Sequence, residues 1–118
     1  MYKVKASTTK GFVVNGITED MLYVMDKDKK LGTTPVGYVV VGMTGCALMC
    51  ARGYYLKKGI KDILISADTI YEDKFTLNIH IDKVIDDVEI KEVIEYIKER
   101  CTVSKMLSKE IEYIIQGK

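Results

Sequence analysis

The side chains in this sequence that could do chemistry are three cysteines, Cys46, Cys50 and Cys101, and a single histidine, His80. Cys46 and Cys50 stand four residues apart in an uncharged apolar stretch. In a helix, at about 100° per residue, they would share one face, one turn apart. A cysteine acts as a nucleophile through its thiolate, which needs a nearby cation or helix N-terminus and a path for the substrate. Beside Met43 and Ala47, periodicity alone favours reading the same residues as small core hydrophobes. Cys46 would lie three turns into the helix, too deep for that helix's own dipole to lower its pKa. Cys101 falls where an amphipathic stretch ends and Thr102-Val103-Ser104 begins. Arg100 and Lys105 are near enough in sequence to favour a thiolate there, and a cysteine completing an apolar stripe is the equal alternative. Thiolates and imidazole suit zinc, yet the chain has no C-x-x-C and His80 lies on the polar side of a strand pattern, so no metal is expected. Gly42, Gly45 and Gly53 do not follow a phosphate-loop spacing, and no nucleotide or other cofactor is expected.

A chain of 118 residues suits a single core, so one domain over residues 1–118 is expected. With 47% hydrophobic and 30% charged residues, the composition is that of a folded protein. Eighteen basic against 17 acidic residues give a net charge of +1, too weak a field to hold nucleic acid or an anionic membrane. An odd number of cysteines, and a start without the sections of a secretory signal, point to a reducing cytoplasm. There thiols persist, and any disulfide is transient. Val36–Ala51 is uncharged but shorter than the about 20 residues a membrane span needs, and Gly37, Gly42 and Gly45 interrupt it. It reads as a fully buried central helix.

The elements that must position the cysteines follow from periodicity. Tyr2, Val4 and Ala6 alternate with Lys3, Lys5 and Ser7, a half-buried strand, and a second run begins at Phe12. Asn15-Gly16 predicts a turn, with a third strand over Met21–Met25. After a polar loop, Thr33-Thr34-Pro35 offers a cap and a proline at the first helical position. The helix should run to about Lys58 and stop at Gly59. Ile63, Ile65 and Ala67 alternate in the next strand, and Phe75, Leu77, Ile79 and Ile81 alternate with Thr76, Asn78, His80 and Asp82 in its partner. Asp86 with Glu89 resembles a capping box. Ile90, Val93, Ile94, Ile97 and Cys101 then form a helical stripe. A short helical stretch to about Leu107 and a strand over Glu110–Ile115 complete an α+β order, βββ-α-ββ-α-β.

Two motifs carry a resemblance. Thr34-Pro35, then Thr44-Gly45-Cys46-Ala47-Leu48-Met49-Cys50-Ala51-Arg52-Gly53-Tyr54 and Lys57-Lys58-Gly59, resembles the central helix of the OsmC/Ohr family of organic-hydroperoxide-reducing thiol proteins. Cys101-Thr102-Val103-Ser104-Lys105-Met106-Leu107-Ser108 is similar to the family's Cys-Pro-Val-Ser-(Lys/Arg)-Thr-Leu-Ser. The element order also resembles the family along essentially the whole chain. The resemblance implies an intertwined homodimer with a long buried central helix. It further implies that Cys46 attacks an organic hydroperoxide, that Cys101 resolves the resulting sulfenic acid as a disulfide, and that an external dithiol, typically a lipoyl group, reduces it. Departures accompany it. Family peroxidases carry a Glu on the first turn of the helix, where this chain has Val36 and Gly37. They also carry an activating Arg before the helix, whereas the first arginine here is Arg52. Without that cation, Cys46 should stay near the free thiol value of about 8.5 unless Lys10, Lys29 or Lys30 reaches it. The alternative is a non-enzymatic relative of the same fold and dimer that binds a small apolar ligand or senses oxidants. A third reading is an interaction protein with three inert cysteines.

Overall fold

The computed structural model describes residues 1–118, which form two compact units, Met1–Val39 and Val40–Lys118. The first holds an antiparallel sheet of β1 (Val4–Ser7), β2 (Val13–Thr18) and β3 (Met21–Asp26), in that order. Asn15-Gly16 does not turn the chain. Both residues lie inside β2, with Asn15 opposite Ser7 and Val24, and Gly16 opposite Ala6 and Tyr23. The turn is at Glu19-Asp20, at φ 50° and 61°, the left-handed pair that matches strand twist in a two-residue hairpin. A turn at Asn15-Gly16 would forfeit ladder pairs such as Ile17↔Leu22 and Thr18↔Met21, so pairing overrides the local signal.

At the end of β3 the buried carboxylate of Asp26 accepts the N–H groups of Asp28 (2.9 Å), Lys30 (3.3 Å) and Leu31 (3.1 Å). These bonds fold the polar loop and hold Asp26 below the usual carboxylate range. Thr34 then caps α1 (Pro35–Lys57), its Oγ1 accepting the Gly37 N–H at 3.0 Å, with Pro35 at the first helical position as expected.

The second unit contains the rest of α1 and a sheet ordered β4-β5-β6, built from β4 (Ile65–Tyr71), β5 (Phe75–Ile81) and β6 (Ile111–Gln116). Gly59, at φ 77°, stops α1, and Ile60 N–H reaches back to the Tyr55 carbonyl at 2.9 Å. β4 and β5 are antiparallel; β5 and β6 are parallel. The parallel pairing requires a crossover, supplied by α2 (Asp87–Arg100) and the short α3 (Thr102–Met106). The alternation in β5 holds, with Phe75, Leu77, Ile79 and Ile81 buried and His80 exposed. Asp86 accepts the Glu89 N–H at 2.8 Å. Glu89 does not return to the Asp86 backbone, so only half of the capping box forms. Its carboxylate instead takes the Tyr55 hydroxyl at 2.8 Å and the Lys83 ammonium at 2.9 Å.

The long central helix is not enclosed by its own chain. Met43, Ala47, Ala51, Tyr54 and Tyr55 are buried in one core with Leu77, Ile79, Val93, Ile97, Cys101 and Ile115. Val41 and Met49, on other faces, are 63% and 77% exposed. A single sheet and a single crossover helix cover one stripe of a helix, not its circumference. By length and composition alone α1 would be long and apolar enough to cross a membrane. Its buried stripe belongs to the protein core.

Candidate redox site

Cys46 and Cys50 project from successive turns of α1, and Cys101 closes α2 and opens α3, its N–H bonded to the Ile97 carbonyl at 2.8 Å. The backbone at Cys101 is extended, with φ −75° and ψ 102°, and this break points the start of α3 toward the cysteines. All three sulfur atoms lie within 4.8 Å of one another, and all are free thiols. Cys101 is fully buried, whereas Cys46 and Cys50 are half-buried. The structure therefore brings together the two cysteines singled out by motif, and adds the third.

Their environments separate them. Burial pushes the Cys46 thiol up, but the N–H of Val103, the thiol of Cys101, the N–H of Thr102 and the thiol of Cys50 together outweigh it. Cys46 thus titrates below an ordinary thiol. Burial dominates at Cys50, whose pKa is pushed up to about 11 with the neighbouring sulfurs adding to it. Burial also raises Cys101, although the N–H and hydroxyl of Ser104 favour its thiolate. Of the three, Cys46 is the sulfur most readily ionised, and its neighbour Cys101 is a protonated thiol at neutral pH. That is the division a nucleophile and a resolving thiol require.

The largest influence favouring the Cys46 thiolate is the Val103 backbone amide at the start of α3, joined by the Cys101 thiol, the Thr102 amide and the Cys50 thiol, with no cationic side chain among them. Its own helix dipole gives no help, as its depth in α1 implies, but amides from a different helix do. Sequence reasoning passed over them because an amide leaves no residue-type signature. The break after Cys101 and the following short helix were the available signal. Arg100 and Lys105 do not serve Cys101: the guanidinium pairs with Glu99 at 3.0 Å and lies 4.0 Å from the Tyr96 ring centroid, and the Lys105 ammonium bonds the Glu99 carbonyl. Arg52 bonds the carbonyls of Lys61 (3.2 Å) and Ile63 (2.6 Å), closing the connection into β4. Tyr113 on β6, raised chiefly by burial, completes the surroundings with its phenol near Ser104 and the three cysteines.

The profile of OsmC-like proteins matches residues 26–116. The chain belongs to the OsmC-like protein family. Solved members of similar fold span the chain from end to end. An OsmC-like protein from Mycoplasma pneumoniae is 17% identical, with a TM-score of 0.74, covering 100% of this chain and 96% of that one. A putative osmotic stress induced and detoxification response protein from Psychrobacter arcticus is 16% identical, with a TM-score of 0.78 and the same coverage. The organic hydroperoxide resistance protein OhrB of Bacillus subtilis is 17% identical, with a TM-score of 0.69, covering 100% and 98%. No curated protein matches the chain significantly. OsmC-like membership accounts for the α+β order.

Proposed function

We propose that this OsmC-like chain is a cytoplasmic thiol peroxidase of organic hydroperoxides, acting as one domain in a homodimer. The Cys46 thiolate attacks the distal peroxide oxygen; the O–O bond breaks, the alkoxide leaves and takes a proton as the alcohol, and Cys46 becomes a sulfenic acid. The Cys101 thiol then attacks the Cys46 sulfur, forming the disulfide and releasing water. An external dithiol reduces that disulfide by exchange and is itself oxidised to a disulfide.

The observation that carries this reading is the placement of Cys46 and Cys101 within 4.8 Å, with the ionisable partner half-buried and the other fully buried. Forming the bond, about 2.0 Å long, asks for side-chain rotation and little backbone movement. Purified protein with an organic hydroperoxide and a dithiol should consume peroxide above the free-thiol background. Cys46→Ser should abolish turnover, and Cys101→Ser should slow it, because the Cys46 sulfenic acid then loses its proposed resolving thiol. Consumption by Cys46→Ser equal to the parent would overturn the assignment.

A second reading is a binding or sensing protein of the same fold, favoured by the first turn of α1, which has no acidic residue. It expects Cys46→Ser to keep ligand affinity.

A further inference from the structure

The peroxidase reading uses two of the three sulfurs, and leaves Cys50 within 4.8 Å of both. We propose that Cys46, Cys50 and Cys101 together form a binding site for trivalent arsenic, taken up as neutral arsenous acid and held by three sulfur ligands.

The first support is geometric. The three sulfurs lie within 4.8 Å of one another. Around a central atom with bonds of about 2.3 Å, the length thiolates make to a metal ion, trigonal sulfurs stand about 4 Å apart. A pyramidal centre draws them closer still. Closing that gap asks for shifts of about an ångström, within reach of χ1 adjustments. Two of the ligands sit one turn apart on α1 and the third at a helix junction, so the site is held by rigid elements.

The second support is the ligand number. The cluster offers three sulfurs and no imidazole or carboxylate, and the sole histidine is exposed on β5. Structural zinc sites use four protein ligands. Trivalent arsenic, with a lone pair in its fourth direction, is complete with three.

Charge decides between the soft ions. Three thiolates on Zn(II) carry one net negative charge, and on Cu(I) two. The groups that act most on the three sulfurs are amides, a hydroxyl and the thiols themselves, with no ammonium or guanidinium among them. Arg100 and Lys105 are engaged with Glu99. A buried uncompensated anion is costly. The arsenic tris-thiolate is neutral. Its formation breaks three S–H and three As–OH bonds, makes three As–S and three O–H bonds, and releases three water molecules with arsenic still trivalent.

The test uses the full chain, reduced with a phosphine and without peroxide or dithiol, so its failure is separate from failure of the peroxidase reading. Sodium arsenite should bind one to one, with a mass gain of one arsenic less three protons, and X-ray absorption should find three sulfur neighbours. Cys50→Ser and Cys50→Ala should each weaken binding about a hundredfold, the low end of what an added tethered contact supplies. Excess Zn(II) or Cu(I) should fail to displace the arsenic. No binding, two sulfurs and an oxygen around arsenic, equal affinity in both Cys50 variants, or displacement by an equivalent of either metal would each overturn the site.

Discussion

Thr102 stands where the family motif has proline, and proline has no N–H to give. In this chain the Thr102 amide is one of the groups that favour the Cys46 thiolate. Thr102→Pro should be tolerated structurally, since Thr102 is the first residue of α3 and proline fits that position. The variant should move the pH midpoint of Cys46 alkylation upward by roughly 0.7 of a unit, the equivalent of one hydrogen bond of about 1 kcal/mol. In the parent protein a maleimide or iodoacetamide should modify Cys46 first and Cys50 last. The sign follows from the thiolates: Cys46 ionises at a lower pH than an ordinary thiol, whereas Cys50 ionises only toward pH 11. Peptide mapping after a pH series of brief alkylations reads both effects, and modification of Cys50 before Cys46 would contradict them.

Among the elements, α2 has the most work, because it must end with Cys101 facing α1. Its start is fixed by Asp86, whose carboxylate caps the Glu89 N–H; Asp86→Ala should cost about 1 kcal/mol in urea unfolding. Glu89 ties α2 to α1 and to the residues after β5 through Tyr55 and Lys83. Burial would raise this carboxylate, but Lys83 and Tyr55 outweigh burial and hold it below the usual glutamate range. A carboxylate depressed in the fold stabilises above its unfolded pKa of about 4.3 and loses that contribution as pH falls through the folded value. Glu89→Gln should therefore cost about 1 to 2 kcal/mol at pH 7, and the difference should shrink toward zero as the pH falls below 4. A difference that persists at low pH would assign the effect to packing. At the start of α1, a β-carbon at Gly37 would meet Thr33 Oγ1 at 1.9 Å, so an acid could not be restored at Gly37 without displacing Thr33.

For the whole molecule, the consequence lies in what the chain leaves uncovered. Val41 and Met49 of α1 are more than half exposed, and an apolar face on a long helix marks an interaction surface. The homodimer proposed above would cover it. Val41→Glu with Met49→Glu should shift the protein from dimer to monomer in sedimentation equilibrium and lower its thermal midpoint. A parent protein that sediments as a monomer at micromolar concentration would remove the dimer from the proposal.

Periodicity and caps were enough to order the elements. Pro35, Gly59, Asp86 and the alternation in β5 act through local backbone and side-chain preferences, which residue types report directly. The motifs at Cys46 and Cys101 likewise marked both sulfurs. Local signals failed where a distant partner decided the outcome: Asn15-Gly16 lost its turn to the ladder with β3, and Glu89 left its cap for Tyr55 and Lys83. The meeting of Cys46, Cys50 and Cys101, and the amides and thiols that lower the pKa of Cys46, came only from the tertiary structure. Sequence spacing fixes what a helix presents along its own face, whereas the approach of one helix's thiols to the first amides of another depends on how the crossover packs across the sheet.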